Sequence, residues 1–257
     1  MSSLDERIGQ RLYLRKDCGV FKMCRGDTRR AGKVKVRIFE CTDSLLPVVD
    51  GVGRVVDQYC RNLAARGHEV YAICPMSDTG YRGALPYEIV DFASTLSMPK
   101  TPQYKAGVAG FDTHYKKRVE MLRPQLVHVH SPVSAGWEGV RLARKWGVPL
   151  VGTFHSKYYD DMYYMTRSRA IAHMGASAIG EFFASCDEVW TVSQYAAREL
   201  RSYGCDVPIR IVRNGVNPSF AQPLDREKVE SFLGIAPQEP LFLYVGQIDR
   251  KKNLALI

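Results

Sequence analysis

Four stretches of the 257-residue chain hold residue types that do chemistry. Asp50-Gly51-Val52-Gly53 stands at the start of an amphipathic pattern. Glycines at a helix N-terminus let the backbone approach a phosphate, and the free amides and helix dipole attract anions. Val56 holds the place where a dinucleotide fingerprint has its third glycine, so the stretch reads either as an anion site or as a tight turn. His128 and His130, followed by Ser131 and Pro132, end one apolar run, and Thr153-Phe154-His155-Ser156-Lys157 ends another. Residues two apart on a strand share a face, so His128 and His130 point the same way, with His130 nearer the carboxyl end and facing the cleft. Two strands would then each bring a histidine to one edge of a sheet. Such a pair suits proton handling or zinc, but no third ligand at metal spacing is evident, so no metal is expected. Arg213-Asn214-Gly215-Val216-Asn217 follows a further apolar run and reads as a turn that lines the cleft or as ordinary turn chemistry.

The elements that must position these residues alternate. Val34 to Phe39 reads as a first strand. Val52, Val55, Val56, Tyr59, Cys60 and Leu63 form one face of a helix that Gly67 stops. Strands are expected at Val70–Cys74, Tyr87–Phe92, Leu126–His130, Pro149–His155, Glu188–Val192 and Ile209–Val212. Helices are expected from Phe111 to Leu122, Ala135 to Trp146, Ala170 to Phe183 and Ser193 to Tyr203, and a short one at Arg226–Leu233. Ser77 to Gly110 reads as irregular. Short strands alternating with helices imply right-handed crossovers and an α/β, doubly wound, mostly parallel sheet, with ligands at the carboxyl ends of its strands. Leu241–Val245 reads as a fresh buried strand, and the chain is expected to end just inside a second α/β domain.

Composition sets the limits. Hydrophobic residues make up 46% of the chain, enough for a sizeable core. No run is long and apolar enough for a membrane-spanning helix, and the first residues lack the apolar central run of a secretory signal, so none is expected. The seven cysteines are scattered without a C-x-x-C, which favours a reducing compartment over a disulfide framework. The net charge of +9 points to an anionic partner. Ten of the Lys and Arg residues fall in the first 35, which read as a solvated basic tail or as an arm touching anionic phospholipid. No recognition helix or aromatic RNA-binding motif accompanies the charge, so no nucleic-acid partner is expected.

Taken in order, Pro47-Val48-Val49-Asp50-Gly51-Val52-Gly53, Leu63-Ala64-Ala65-Arg66-Gly67-His68-Glu69-Val70, Val127-His128-Val129-His130-Ser131-Pro132, Thr153-Phe154-His155, Val192-Ser193, Asn214-Gly215-Val216-Asn217 and Tyr244-Val245-Gly246 resemble family 4 retaining glycosyltransferases of the GT-B fold. The resemblance runs from about Val34 to the end. The stretches from Pro47 and from Thr153 to Tyr158 look most like bacterial enzymes that glycosylate lipids, such as diacylglycerol glucosyltransferases and phosphatidylinositol mannosyltransferases. It implies a Rossmann-like acceptor-side domain and transfer of a sugar from a nucleotide sugar to a lipid or sugar acceptor, with retention and without a metal or other cofactor. Gly51 and Gly53 would sit beside the donor diphosphate, His155 near the transferred sugar as the catalytic histidine, and His130 and Ser131 at the acceptor pocket. Asn214 would line the cleft. Lys252 matches the family's diphosphate-holding Lys, while Gln247 stands where the family has an Arg. The later Glu-x7-Glu motif does not occur.

The domain organisation that follows is a basic tail over 1–33, the acceptor-side domain over 34–216, a linker over 217–240 and the start of a donor-binding domain over 241–257. Two other readings stand beside transfer. One is a non-catalytic domain that binds acceptor or a partner, with the chain inactive alone. The other is a GT-B-fold nucleotide-sugar epimerase, which would need acidic catalytic residues in the cleft. Tyr104, Lys105, Lys116, Lys117, Arg118 and the run Tyr158–Tyr164 mix basic and aromatic types. They suit the surface of an anionic membrane, and the protein is expected in the cytoplasm, at the inner face of the membrane. The alternative is that the Phe111 helix buries Phe111, Tyr115, Val119 and Leu122 and leaves a solvated basic face.

Overall fold

The computed structural model describes residues 34–48, 50–75, 83–94, 96–98, 101–216, 223, 225–237, 240, 242–246, 248 and 253–256. The basic tail, Gln247 and Lys252 lie outside the described residues. The chain divides into two units, 1–214 and 215–257.

The first unit is built on seven parallel strands: β1 (Arg37–Cys41), β2 (Glu69–Cys74), β3 (Glu88–Asp91), β6 (Leu126–Val129), β7 (Leu150–Phe154), β8 (Glu188–Thr191) and β9 (Ile209–Ile211). They pair in the order β3-β2-β1-β6-β7-β8-β9. An antiparallel hairpin, β4 (Leu96–Met98) with β5 (Thr101–Ala106), falls in the stretch read as irregular. The helices are α1 (Gly51–Ala65), α2 (Thr113–Leu122), α3 (Ser134–Trp146), α4 (Tyr158–Thr166), α5 (Arg169–Ala184) and α6 (Gln194–Ser202).

Local chemistry explains the ends of α1. Asp50 is its N-cap, and the Asp50 carboxylate accepts the Gly53 N–H at 2.6 Å. At the other end Gly67 takes φ +92°, a left-handed conformation that costs a glycine little. Gly147 ends α3 in the same way at φ +61°.

The strands alternate between two cores. Phe39, Cys41, Val127, Val129 and Phe154 pack with Val140 and Leu142 of α3 and with Phe182 and Phe183 of α5. Ile38, Ala72 and Leu126 pack on the other face, against Val56, Cys60 and Leu63 of α1. Gly139 and Gly152 mark close approach, because a Cβ on either would press into Val129 and Cys41 or into Cys186 and Phe183.

The structure corrects three expectations. Phe111 is 84% exposed, since it sits in a 3-10 turn before Asp112, the N-cap of α2, while Tyr115 and Val119 are buried as read. Helix α4 covers Tyr158–Thr166, which composition alone did not mark as helical. Asp160 and Asp161 in its first turn favour the helix dipole, and packing on α5 overrides the weak propensity of tyrosine and aspartate. In the second unit α7 (Arg226–Leu233) forms as read, capped by Asp225 and ended by Gly234. Phe242, Leu243, Tyr244 and Val245 belong to no strand and are exposed, because no strand among the described residues of that unit offers a partner.

Candidate functional site

The strand order makes a crevice. β1 leads leftward to β2 and β3, whereas β6 leads rightward to β7, β8 and β9. β1 and β6 lie side by side, in register from Ile38 opposite Leu126 to Cys41 opposite Val129. The connections that leave their carboxyl ends therefore diverge, and such a switch point is where open α/β sheets bind ligands.

Two connections meet there. Asp43, after β1, accepts hydrogen bonds from Ser131 Oγ at 2.5 Å, Ser134 Oγ at 2.6 Å and the Ala135 N–H at 2.9 Å. It thus caps α3 from a distant part of the chain and ties the two loops together. Burial raises its carboxyl above the usual value, and the serine bonds oppose that. Ser44 Oγ donates to Asp50 at 2.7 Å.

Beneath these loops the α1 face of the sheet turns polar. Glu40 of β1 is 1% exposed. A lone buried carboxylate would be costly, but one oxygen, Oε2, is shared by His128 Nδ1 at 2.9 Å and His130 Nε2 at 2.6 Å. His128 Nε2 meets Thr153 Oγ1 at 2.7 Å. His130 Nδ1 meets His155 Nε2 at 3.1 Å, the two rings stacked with centroids 5.4 Å apart. Tyr59 of α1 and Trp190 of β8 wall the cluster, at 5.5 Å and 5.0 Å from the His128 ring. Trp190 is held by its own bond to Glu188, which also pairs with Arg210.

The electrostatics follow from burial and pairing. Burial alone would raise the Glu40 carboxyl, but the His128 and His130 contacts outweigh it and hold it at about 2. Burial, aided by His128 and opposed by Glu40, pushes His130 down to about 4. Burial and then the neighbouring His130 and His128 rings push His155 down to about 2. Near neutral pH the site therefore holds one buried carboxylate and, at 130 and 155, two neutral imidazoles.

Glu40, His128 and His130 each offer a ligand atom, all within 4.8 Å of one another. Zinc with nitrogen and oxygen ligands at its usual 2.0–2.2 Å spreads tetrahedral ligand atoms to about 3.3 Å. The 2.6 Å contact of His130 is a direct hydrogen bond, and the 2.9 Å approach of His128 to the same oxygen is likewise shorter than that spread.

Of the residues read from the sequence, the fold brings His130, Ser131 and His155 to this edge together with the start of α1. His130 does not face the crevice as expected: it is fully buried, because Glu40 holds its ring inward beneath His155. Gly51 is open, with nothing within 4 Å of the place a Cβ would take. Gly53 is different, since its N–H is taken by Asp50, and a Cβ there would meet Ser44 at 3.1 Å. Asn214 is exposed beyond β9, the edge strand, two strands away from β7. Glu40 escaped the sequence reading, although an acid inside the apolar run of β1 is itself a signal of a buried partner.

A family model described as Glycosyltransferase Family 4 matches residues 49–220. The chain is 23% identical over 235 residues to alpha-monoglucosyldiacylglycerol synthase of Acholeplasma laidlawii, covering 85% of this chain and 57% of that protein. It is 29% identical over 124 residues to a GDP-mannose-dependent alpha-mannosyltransferase of Mycobacterium tuberculosis, covering 47% and 32%. Among solved structures, sucrose-phosphate synthase from Thermosynechococcus elongatus superimposes with a TM-score of 0.64 at 18% identity, covering 85% of this chain and 57% of that one. The chain thus spans between about a third and three fifths of the length of these proteins, and at that identity the superposition speaks for the fold.

Proposed function

Because the chain belongs to Glycosyltransferase Family 4, we propose that it forms the acceptor-side half of a retaining glycosyltransferase that moves a sugar from a nucleotide sugar to a lipid. The observation that carries the proposal is the switch-point crevice, where His155 stands over a buried Glu40-His130 pair beside the open start of α1. The names of two relatives, one a glucosyldiacylglycerol synthase and one dependent on GDP-mannose, support a lipid acceptor and a nucleotide-sugar donor.

The chemistry suits that use. As the glycosidic bond breaks, the departing diphosphate gains negative charge, which cations and backbone amides stabilise. The backbone at Gly51 is open to close approach, with nothing within 4 Å of the place a Cβ would take, and Lys252 is the side chain proposed for the diphosphate. His155 is uncharged near neutral pH and so offers a dipole rather than a repelling cation to an oxocarbenium-like sugar. No metal enters this account.

Mixed detergent micelles carrying radiolabelled diacylglycerol test the acceptor. Saturable binding well above that to plain micelles is expected. Binding no better than to plain micelles would contradict a lipid acceptor.

A second reading places this protein on a membrane surface at the cytoplasmic side. It is supported by exposed Tyr163, Tyr164 and Met165 at the end of α4 and exposed Ile171 and Met174 on α5, with Arg167 5.1 Å from the Tyr164 ring centroid between them. Aromatic and basic side chains beside apolar ones suit an interface. No helix among the described residues is long and apolar enough to cross a membrane. Co-sedimentation with vesicles should rise with anionic lipid and fall with salt; indifference to anionic lipid would remove this reading.

A further inference from the structure

The donors and acceptors of the buried cluster fix more than its shape. An ionised carboxylate only accepts, so a ring nitrogen hydrogen-bonded to Glu40 Oε2 must carry a proton. For His130 that nitrogen is Nε2. Burial keeps His130 neutral near pH 7, so its other nitrogen, Nδ1, holds a lone pair. That lone pair faces His155 Nε2 at 3.1 Å. The His155 Nε2 must then carry the proton, which leaves His155 Nδ1 as a bare acceptor. Among the described residues no hydrogen bond reaches that Nδ1, and no buried side-chain nitrogen or oxygen lacks a partner, so Nδ1 opens to solvent.

We propose that Glu40, acting through His130, is a positioning residue that locks His155 in the Nε2–H tautomer, so that His155 presents an Nδ1 lone pair to a hydroxyl bound in the crevice. Each link is short and buried: Glu40 is 1% exposed and His130 0% exposed. Neither ring can change tautomer alone without setting two N–H groups or two lone pairs face to face, and an unmade buried hydrogen bond is expensive. The lock needs no covalent step and moves no proton. Its chemical consequence is selectivity for a donor: a hydroxyl can give its hydrogen to Nδ1, whereas an ether or carbonyl oxygen in that place cannot. A buried histidine whose far nitrogen is fixed by a carboxylate is a known way of setting which nitrogen is reactive; here the setting passes through a second ring. The hydroxyl as sugar or acceptor rests on the glycosyltransferase reading, but the tautomer does not.

Imidazole nitrogen NMR of the full chain, labelled with 15N-histidine, tests the lock at pH 7. His155 should show one protonated-type nitrogen, Nε2, and one bare-type nitrogen, Nδ1. In Glu40→Gln the neutral amide can either donate or accept, so the two His155 resonances should move toward each other as tautomers mix. His130→Phe, which keeps an aromatic ring and removes the link, should do the same and serves if Glu40→Gln does not fold. Thr153→Val, which removes a hydroxyl bonded to His128, should leave the His155 pattern alone and so separates the lock from general loosening. A wild-type His155 protonated on Nδ1, or already averaged, would overturn the proposal. So would a His155 pattern unchanged by whichever of the two disrupting variants folds. Binding of UDP-glucose and of diacylglycerol micelles, measured on the same samples, reports separately on the glycosyltransferase reading, since mixed tautomers with undiminished binding would uphold the lock and take His155 out of the ligand site.

Discussion

The two faces of one sheet are built to different rules. Toward α3 and α5 the strands present Phe39, Cys41, Val127, Val129 and Phe154, all buried and apolar along the whole strand length. Toward α1 the same strands begin apolar, with Ile38 and Leu126, and end with Glu40, His128, His130, Thr153 and His155. Neighbouring residues of β1, Phe39 and Glu40, therefore serve opposite ends. One face holds the domain together, and the other gives up part of its apolar packing to a polar cluster at the carboxyl edge. The contrast teaches where function sits in this fold: at the end of a strand, on the face whose packing has been interrupted.

The largest effect should come from the apolar face. Phe154 is 1% exposed and packs edge-on against Phe183 and Tyr203. Phe154→Ala should cost about 3–5 kcal/mol in urea unfolding, by the same amount at pH 7 and pH 5. A loss that changed with pH would blur the distinction between the faces.

The polar face should supply the pH dependence. His130 and His155 have folded values of about 4 and about 2, below the ordinary 6.5. The unfolded chain therefore takes up their protons first, and stability falls as pH drops below 6.5. Each ring should cost about 2 kcal/mol between pH 7 and pH 5. Glu40 has a different window: its value of about 2 lies below the ordinary 4.5, so its contribution is intact above 4.5 and is lost progressively as pH falls from there through 2. Urea midpoints across pH 7 to 5 should thus slope downward, and His130→Phe should flatten the slope. A flat wild-type profile would mean that the rings are not buried neutral.

The smallest of these effects belongs to the seam between loop and helix. Asp50→Ala removes the cap of α1 and should cost about 1 kcal/mol by the same unfolding measurement, while freeing the Gly53 N–H. A loss of several kcal/mol would give Asp50 a larger part in the crevice than capping.

Much of this was legible in the sequence, and for physical reasons. Parallel strands are buried on both faces, so runs such as Leu126–Val129 and Leu150–Phe154 stand out as apolar. Period-two alternation was enough to put His128 and His130 on one face, and the order of elements brought His155 to the same edge. What escaped lay where pattern and packing part company. Helix α4 is rich in tyrosine and aspartate and is held by α5 rather than by its own propensity. Glu40 is a single charge in an apolar strand, and its meaning lies in residues some ninety positions away. The roles of Gly51 and Gly53 separated only once Asp50 was seen to cap the helix, because spacing alone treats both glycines as open.

The central claim is that ligand binds at the polar end of the α1 face, against His155. The direct measurement is the ring resonances of the chain's histidines as UDP-glucose and dioleoylglycerol micelles are added, each alone and together. The account predicts a saturable shift at His155, with His68, which lies outside the cluster, unmoved. A His155 that stays put, or moves no more than His68, would contradict it.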